Sequence, residues 1–434
     1  MSAVAEWHET RLKNLFIFVR NGIWGDDPDG ETDVFCARGT DFDRTTNRIS
    51  DAKMPRRSVS ASALRDHQLL QGDLVLEKSG GSVDQPVGSV AMFDLSAPVV
   101  CSNFNARMQV AISVYSRFAC YLMNGLYWSG FTRQFVNQTT GIQNLDANAL
   151  LAQRCALPPL DEQRRIAGFL DAETTRIDAL FSSQCQARQL LLQRREAGVF
   201  NAVTGGGTTD DVPSKLVWAS SLPATWQSVK LGHFARMGSG HTPSRSRPEW
   251  WVDCSIPWIT TGEVSQVRDD RREILTETRE RISEIGLANS AAELHPKGTV
   301  VLCRTASAGY SAVMGRDMAT SQDFVTWSCG PELDPFFLLW CLRAMRSDLL
   351  GRLAMGSTHK TIYVPDLQML RIPLPPLPEQ CLIVESVRAA NSAIDDTIDA
   401  IDRQLTLLAE RRQALITAAV TGQIDVTTAR GVSP

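Results

Sequence analysis

A seven-residue motif that occurs twice constrains the fold of this 434-residue chain more than any other feature. Residues 157–163 have the sequence Leu-Pro-Pro-Leu-Asp-Glu-Gln, and residues 374–380, at an offset of 217, have Leu-Pro-Pro-Leu-Pro-Glu-Gln. The same offset continues without a gap to Ala-Val-Thr-Gly at 202–205 and 419–422. A repeat of this length indicates that one structural unit is built twice.

Each copy of the repeat predicts one long helix. Its Pro-rich opening disfavours helix for the residue before it, and no further Pro occurs before the closing Thr-Gly. At a rise of 1.5 Å per residue, each helix would be roughly 60 Å long, which is more than a small domain needs.

Apolar residues recur in both predicted helices at alternating spacings of four and three, which is typical of coiled coils. The predicted core positions are Ile166, Leu170, Glu173, Ile177, Leu180, Gln184, Ala187 and Leu191 in the first helix and Ile383, Val387, Ala390, Ile394, Thr397, Ile401, Gln404 and Leu408 in the second. Because both seams are imperfect and the intervening domain can return the chain, we expect an antiparallel pair. The alternative is that each helix packs only on its own domain.

The segments before the helices correspond more loosely. Trp7-x-x-x-Arg11-Leu12 is similar to Trp226-x-x-x-Lys230-Leu231, and residues 72–76 and 298–302 both have an apolar run after a Gly turn, which predicts a strand. The predicted fold is α+β, with two mixed α/β domains, two long helices packed as an antiparallel coiled coil, and an internal pseudo-twofold repeat. The predicted organisation is a first domain at 1–156, a first spacer helix at 157–205, a linker at 206–221, a second domain at 222–373, a second spacer helix at 374–425 and a tail at 426–434.

Composition excludes several protein classes. No run approaches the roughly 20 apolar residues of a membrane helix, and the N-terminal residues mix charges among apolar positions, so we expect a cytoplasmic protein without a signal peptide. Ten scattered cysteines without zinc spacing predict reduced, mostly buried thiols. A net charge of -4 gives no overall attraction to nucleic acid, so any DNA binding needs local patches. Basic residues are mostly Arg, which suits contacts to guanine and phosphate but which a GC-rich genome also produces.

Three segments of the second domain, together with the doubled helix motif, carry a family resemblance. They are Gly-Ser-Gly-His-Thr-Pro-Ser at 238–244, Pro-Glu-Trp-Trp at 248–251 and Ile-Pro-Trp-Ile-Thr-Thr-Gly-Glu at 256–263. The chain resembles the specificity subunit of type I restriction-modification systems, and residues 304–309 and 321–324 resemble inner motifs of that family. These signatures are missing from residues 1–150, so the first domain is assigned by symmetry, with 78–82 and 86–88 as its version of the inner loop.

The resemblance implies a non-catalytic DNA-binding subunit. Each domain would recognise one half of a split target, and the helix pair would be the spacer between half-sites, which lie about 34 Å apart when they share one face of the DNA. The implied partners are double-stranded DNA, two methyltransferase subunits and restriction subunits with helicase and nuclease activity. No cofactor is expected in this chain, whereas S-adenosylmethionine, ATP and Mg would belong to the partner subunits.

Sequence motifs of catalysis are absent, which agrees with a non-catalytic chain. There is no dinucleotide-binding, phosphate-loop or zinc-protease motif. Asp334-Pro335-Phe336-Phe337 is similar to the Asp-Pro-Pro-Tyr motif of amino-methyltransferases, but it lacks the second Pro and leads into an apolar stretch, which predicts a helix N-terminus. Asp73, Glu77 and Lys78 do not have nuclease spacing. Two alternatives stay open, namely a coiled-coil scaffold with two protein-binding ends and an enzyme with an unrecognised site.

Candidate DNA contacts are polar and basic residues on predicted loops. In the second domain they are Thr242, Ser244, Arg245, Arg247, Thr260, Thr261, Arg304, Ser307, Gln322, Ser357, Thr358 and Lys360, and in the first domain Lys78, Ser79, Ser82, Asn103, Asn105, Arg107, Gln138, Thr139, Thr140 and Asn144. Ordinary turn chemistry is the alternative for 260–262. Nearby aromatic residues (Trp250, Trp251, Trp258, Phe324) are predicted to be core. Glu162, Gln163, Glu379 and Gln380 are either structural hinges or part of the methyltransferase contact.

Overall fold

The computed structural model describes residues 7–139, 141–206, 210–356 and 360–426. Within this part, residues up to 185 and from 403 onward form one compact unit, and residues 186–402 form a second. The long helices α4 (Leu160–Thr204) and α9 (Leu377–Val420) each contribute residues to both units. The prediction of one long helix per repeat is confirmed.

The first unit contains one large sheet and three small ones. Its strands are β1 (His8–Arg11), β2 (Phe16–Asn21), β3 (Asp33–Ala37), β4 (Phe42–Asp43), β5 (Arg48–Ile49), β6 (Arg56–Ser58), β7 (Leu74–Glu77), β8 (Ser79–Gly80), β9 (Val90–Met92), β10 (Val99–Cys101), β11 (Asn105–Val110), β12 (Val136–Thr139), β13 (Ile142–Leu145) and β14 (Arg154–Leu157). Its shorter helices are α1 (Ala61–His67), α2 (Ser116–Trp128) and α3 (Ala147–Leu151). The sheet orders are β2-β11-β7-β9-β5-β4, β10-β3-β6, β12-β13-β8 and β1-β14.

The second unit has a similar plan, with a five-stranded, a three-stranded and two two-stranded sheets among its described residues. Its strands are β15 (Asp211–Pro213), β16 (Ser221–Pro223), β17 (Gln227–Lys230), β18 (Ala235–Ser239), β19 (Ile256–Ile259), β20 (Ile274–Leu275), β21 (Glu280–Ile282), β22 (Val300–Cys303), β23 (Ser311–Met314), β24 (Ala319–Thr320), β25 (Phe324–Cys329) and β26 (Arg371–Leu374). Its shorter helices are α5 (Glu284–Ala288), α6 (Pro335–Ala344), α7 (Arg346–Asp348) and α8 (Val364–Gln368). The sheet orders are β18-β25-β22-β23-β20, β24-β19-β21, β17-β26 and β15-β16.

The two domains share strand order and strand direction. Five strands of the large sheets correspond in order from β2 and β18 onward, and the first sheet has a sixth strand, β4, at its end. Both sheets have one parallel pair in the same place, β5 with β9 and β20 with β23. The three-stranded sheets also agree, because β10 is parallel to β3 as β24 is parallel to β19. The internal repeat is therefore present in the fold of both domains, although their sequences have diverged.

Both domain cores include segments of the two long helices. In the first unit, Phe118 of α2 lies in one buried cluster with Leu170 of α4 and Val420 of α9. In the second unit, Phe337 of α6 lies in one buried cluster with Val203 of α4 and Val384 of α9. Each helix therefore packs on its own domain near its start and joins the core of the other unit near its end.

Helix α6 begins where its sequence predicts a helix N-terminus. The side chain of Asp334 accepts hydrogen bonds from the backbone N–H groups of Phe336 (2.8 Å) and Phe337 (2.9 Å), and Pro335 occupies the first turn. A carboxylate cap followed by Pro is a favourable start for a helix. The similarity to an amino-methyltransferase motif is therefore accounted for by helix capping.

Helices α4 and α9 pack antiparallel in each unit. In the second unit, Arg188 pairs with Asp402 at 2.7 Å and Arg195 pairs with Asp395 at 3.2 Å. Residue numbers therefore rise along α4 while those of the paired residues fall along α9. In the first unit, Arg412 pairs with Asp178 at 3.2 Å. The repeat offset relates this pair to Arg195–Asp395, so the contact occurs twice. The alternative in which each helix packs only on its own domain is wrong.

The buried helix positions differ in part from the predicted stripes. Ile166, Leu170, Ile177 and Val387 are buried, but Leu180 is exposed, and Thr174 and Asn391 occupy buried positions in place of their predicted neighbours Glu173 and Ala390. Polar residues at core positions are invisible to a hydrophobic pattern, so the buried seam departs from the predicted stripe at these positions.

The segment predicted as a linker contains a strand and a small packed cluster. Strand β15 pairs with β16, and Leu216 and Ala219 lie in a small buried cluster with Leu222 and Trp226. Apolar residues with a local packing partner form structure even in a short polar segment, which the composition of 206–221 did not indicate.

Candidate nucleic-acid interface

Four loops of the second domain meet at one edge of its sheets. Strand β18 ends at Ser239 opposite Val325, and β22 ends at Cys303 opposite Phe324, so the loops that follow both strands lie beside the loop that precedes β25. The backbone N–H of Ser321 donates to the carbonyl oxygen of Ile259 at 2.9 Å, which brings in the end of β19. We call residues 240–247, 260–261, 304–309 and 321–323 the second loop edge.

Three predicted residues contact one another at this edge. The hydroxyl of Thr242 donates to the side-chain oxygen of Gln322 at 2.6 Å, and the guanidinium of Arg304 donates to the backbone carbonyl of Gln322 at 3.0 Å. They come from three separate loops, so the fold has gathered residues that the sequence separates by up to 80 positions. Polar donors clustered on loops have the chemistry that DNA recognition requires.

Arg245 and Arg247 remain exposed but are paired within the domain. The guanidinium of Arg245 lies 4.0 Å from the ring centroid of Trp251 and donates to Glu280 at 2.8 Å. Arg247 forms a looser ion pair with Glu249 at 3.7 Å. Exposed pairs of this kind are weak, so a DNA phosphate can compete with the carboxylates for both guanidiniums.

The remaining predicted residues of the second domain have mixed environments. Thr260 and Thr261 are half-buried where a 3-10 helix begins, and the carbonyl of Thr260 accepts from the N–H of Glu263 at 2.9 Å, which is the turn chemistry given as an alternative. Ser244 is exposed, Ser307 is half-buried, and Lys360 is exposed with its ammonium 3.4 Å from a backbone carbonyl. Ser357 and Thr358 lie outside the described residues.

The aromatic residues near these loops are mainly packing groups. Trp258 and Phe324 are buried, and Trp250 and Trp251 are half-buried. The rings of Trp251 and Trp258 meet edge to face at 5.8 Å. The prediction that Trp258 and Phe324 are core residues is confirmed.

The first domain has an equivalent edge. The ammonium of Lys78 donates to the side chain of Asn21 at 2.6 Å, and the hydroxyl of Ser79 donates to the side chain of Asn144 at 2.7 Å. Asn103 is exposed. We call residues 22–24, 38–40, 78–82 and 102–104 the first loop edge. Burial lowers the pKa of the Lys78 ammonium.

Backbone hydrogen bonds at the two edges correspond in position. Ile23 N–H donates to the carbonyl of Cys101 at 2.8 Å, as His241 N–H donates to that of Thr320 at 3.0 Å. In the same way, Leu145 N–H donates to the carbonyl of Lys78 and Ile362 N–H to that of Arg304, both at 2.8 Å. This agreement supports the assignment of the first domain that the sequence made by symmetry.

A glycine shapes each edge, and the sequence interpretation of the first domain missed it. A Cβ atom on Gly22 would collide with the backbone carbonyl of Cys101, and one on Gly240 would collide with that of Thr320. Only glycine allows the two backbones to approach so closely. Gly22 is therefore the counterpart of Gly240. This glycine could have identified the loop edge from the sequence of the first domain, which lacks the other family signatures.

Two predicted contacts of the first domain lie in the interior. Arg107 is buried and pairs with buried Asp73 at 2.6 Å, and Asn105 is fully buried with its amide donating to the carbonyl of Ala37 at 3.2 Å. Side chains in these positions do not reach the surface, so both are removed from the candidate interface. Their polarity serves internal pairing, which sequence alone does not distinguish from a surface role.

The other candidate DNA contacts of the first domain are surface residues or lie outside the described residues. Ser82 and Gln138 are exposed, and the hydroxyl of Ser82 accepts from the N–H of Gln85 at 3.0 Å. Thr139 ends strand β12 without a described side chain, and Thr140 lies outside the described residues.

The doubled Glu-Gln motif ties each long helix to its own domain. Trp7 donates its indole N–H to Glu162, and Trp226 donates to Glu379, both at 3.2 Å. Gln163 accepts from the N–H of Tyr115 at 2.8 Å and donates to the carbonyl of Pro158 at 2.9 Å. We call these contacts the helix anchors. They support the structural interpretation of the motif.

Gln380 makes the equivalent contacts in the second domain. Its side chain accepts from the N–H of Asp334 at 2.8 Å and donates to the carbonyls of Glu332 and Pro375, both at 2.9 Å. Both glutamines are buried. Their polar atoms are therefore occupied within the chain.

Metal-binding clusters and membrane helices are not found in the described ranges. Among these residues, no three His, Cys, Asp or Glu side chains are grouped as ligands for an ion. None of the described helices combines the length and apolarity needed to cross a bilayer.

Comparison with known proteins finds similarity to type I restriction-modification specificity proteins. Residues 223–415 match the family model described as the type I restriction modification DNA specificity domain. The chain is 20% identical to a protein of Methanocaldococcus jannaschii named as the MjaX type I restriction enzyme specificity subunit, over 98% of this chain and 95% of that protein. It is 22% identical to the type I restriction enzyme EcoBI specificity subunit of Escherichia coli, over 76% of this chain and 70% of that protein.

Solved structures share the fold over the whole chain. A structure from work on complex assembly and conformational transition of the type I R-M system matches with a TM-score of 0.74 at 18% identity, covering 97% of this chain and 99% of that one. The HsdS subunit from Thermoanaerobacter tengcongensis matches with a TM-score of 0.55 at 17% identity, covering 97% and 98%. These likenesses concern the fold.

Proposed function

We propose that this chain, which belongs to the family of type I restriction-modification specificity subunits, selects a bipartite DNA target, with each loop edge recognising one half. The observation that carries the proposal is that the loop edge occurs twice on the same framework with different side chains. Lys78 and Ser79 follow β7 in the first domain, and Arg304 and Thr305 follow the corresponding strand β22 in the second. A repeated framework with changed side chains is expected when two domains recognise different bases.

Arg304 and Gln322 are the proposed base-contacting residues of the second domain. Arg forms bidentate hydrogen bonds with guanine, and Gln does so with adenine, through the major-groove edges of the bases. Gln322 is exposed and Arg304 is half-buried, and the guanidinium of Arg304 donates a hydrogen bond to the backbone carbonyl of Gln322. Ser244, Arg245 and Arg247 on the neighbouring loop are proposed phosphate contacts, because exposed guanidiniums and hydroxyls position a protein on the backbone of DNA.

Partner subunits would supply catalysis. We propose that methyltransferase and restriction subunits assemble with this chain and provide S-adenosylmethionine, ATP and Mg chemistry. Leu180 of α4 and Leu407 of α9, both in the first unit, are exposed by more than half, and we propose that a partner subunit covers this part of the helix pair. The alternative of a protein-binding scaffold does not account for the match to a DNA specificity domain.

The test combines target mapping with one matched pair of substitutions. The chain is co-expressed with its methyltransferase, the methylated motif is mapped, and the affinity of the assembled complex is measured for duplexes altered in one half at a time. Arg304→Met is expected to weaken binding about 10- to 100-fold and to relax discrimination in one half only. Arg316→Met, at an exposed arginine near the opposite end of β22, is the control.

Two outcomes would contradict the proposal. Equal effects of Arg304→Met and Arg316→Met would exclude the second loop edge as the recognition surface. A methylated motif that stays the same when residues 1–150 are replaced by those of a relative with another target would exclude the first domain as a reader.

A further inference from the structure

A cleft of about 510 Å³ opens at the centre of the first loop edge. Its lining includes Trp24 and Phe104, which are 38% and 48% exposed, together with Glu77, Ser79 and Ser102. Clefts of this size that combine aromatic rings with a few polar groups are typical of small-ligand sites. Aromatic side chains left half-exposed beside polar groups therefore indicate a ligand with a flat ring.

A buried hydroxyl in the cleft has no partner. Ser102 is 1% exposed, and its Oγ has no hydrogen-bond partner within the described residues. A buried polar atom left without a partner costs free energy, and a native protein usually retains such an atom where a ligand or water satisfies it. Ser102 therefore points to a polar ligand in this cleft.

A buried carboxylate provides an acceptor in the same cleft. One oxygen of Glu77 pairs with Arg44 at 2.9 Å. The other oxygen lies against Gly39, where a Cβ atom would come within 2.5 Å of it. Glycine at position 39 keeps a side chain away from this oxygen, so the carboxylate can accept a hydrogen bond from a ligand in the cleft.

A concave site at a DNA-binding edge cannot contact a base within the stack. Bases in a duplex are recognised by side chains that project into a groove. A base enters a cleft only after it leaves the stack, and proteins then hold it between aromatic or apolar side chains with hydrogen bonds to its polar edge. The cleft in the first loop edge has both of these elements.

We propose that this cleft binds an unstacked DNA base that carries an exocyclic amino group, adenine or cytosine, with Glu77 accepting from the amino group and Trp24 and Phe104 covering the ring. The inference rests on the proposed function, because the ligand is part of the first half-site. It adds that the first domain extrudes a base, whereas the second domain is proposed to recognise bases within the duplex.

The test uses the assembled complex and mismatched duplexes. Each base pair of the first half, other than the methylated pair, is replaced in turn by a mismatch that keeps its adenine or cytosine. Because mispairing lowers the cost of unstacking, the mismatch at the extruded base is expected to tighten binding about tenfold. The Trp24→Ala, Phe104→Ala double variant should lose this gain, whereas Tyr115→Ala, at an exposed aromatic residue beside the opposite end of β7, should keep it.

A purine or pyrimidine that lacks the amino group, placed at the same position, should also abolish the gain. Thermal melting of the double variant establishes that it is folded. The inference is overturned if no mismatch in the first half tightens binding, or if the gain persists in the double variant. A complex that fails to discriminate its target from other duplexes would instead overturn the proposed function.

Discussion

Replacing Gln380 by Met tests the helix anchor of the second domain. Gln380 is 0% exposed, and its side chain makes three hydrogen bonds to the backbone, with the N–H of half-buried Asp334 and with the carbonyls of exposed Glu332 and buried Pro375. Met has a similar length but makes none of them. At about 1 kcal/mol for each hydrogen bond removed, we expect a loss of about 3 kcal/mol in the free energy of unfolding.

The equivalent substitution in the first domain provides an internal comparison. Gln163→Met removes two short hydrogen bonds and a third, to the carbonyl of Ser113, that is 3.4 Å long. Since the third bond is weaker, we expect a smaller loss of about 2 kcal/mol. Gln404→Met, at an exposed position of α9, is the matched control and should change stability by less than about 0.5 kcal/mol.

Urea unfolding at 25 °C, followed by circular dichroism, measures all three variants. A loss below about 1 kcal/mol for Gln380→Met would refute the reasoning, because the buried hydrogen bond to the carbonyl of Pro375 alone is expected to contribute that much. So would a larger loss for Gln163→Met than for Gln380→Met, since the lengths of the hydrogen bonds set the expected order.

Two further predictions concern buried charge and thiol chemistry. Arg107→Met leaves the carboxylate of Asp73 buried without its partner, so we expect a loss of about 3 kcal/mol in the free energy of unfolding at pH 7. Because burial raises the pKa of Asp73, its carboxyl group becomes neutral more readily on acidification, and the loss measured by urea unfolding should be smaller at pH 5. An equal loss at both pH values would contradict this expectation. Cys185 and Cys381 are exposed and should react first with a disulfide reagent at pH 8. Burial raises the pKa of Cys101 to about 12, so mass spectrometry should find this residue unlabelled in the folded chain at pH 9. Labelling of Cys101 at the rate of the exposed thiols would contradict the structure.

The long helices and the doubled plan could be predicted from the sequence because local signals determine them. Proline ends, the closing Thr-Gly and the gapless repeat are features of neighbouring residues. The exact seam could not be predicted, because Thr174 and Asn391 are buried through contacts with distant segments. Hydrophobic periodicity records the average face of a helix and does not identify polar residues within it.

The candidate interface was predictable where loop chemistry is local. Thr242, Arg304 and Gln322 were selected as polar loop residues, and the fold brings them into contact. Arg107 was selected for the same reason, yet its partner Asp73 lies 34 positions away and buries it. The cleft of the first domain could not be predicted, because Trp24 and Phe104 are distant in the sequence and line one cleft only in the folded domain.

The order of the chain has a consequence for how this protein is made. Ile416 and Val420 lie in the core beneath α2 of the first unit, but they follow the whole second unit in the chain. At 5–20 residues per second, roughly 10 to 40 s separate the emergence of Cys185 from that of Arg403. All of the second unit is synthesised in that interval, so the domain that emerges first is the one that is completed last.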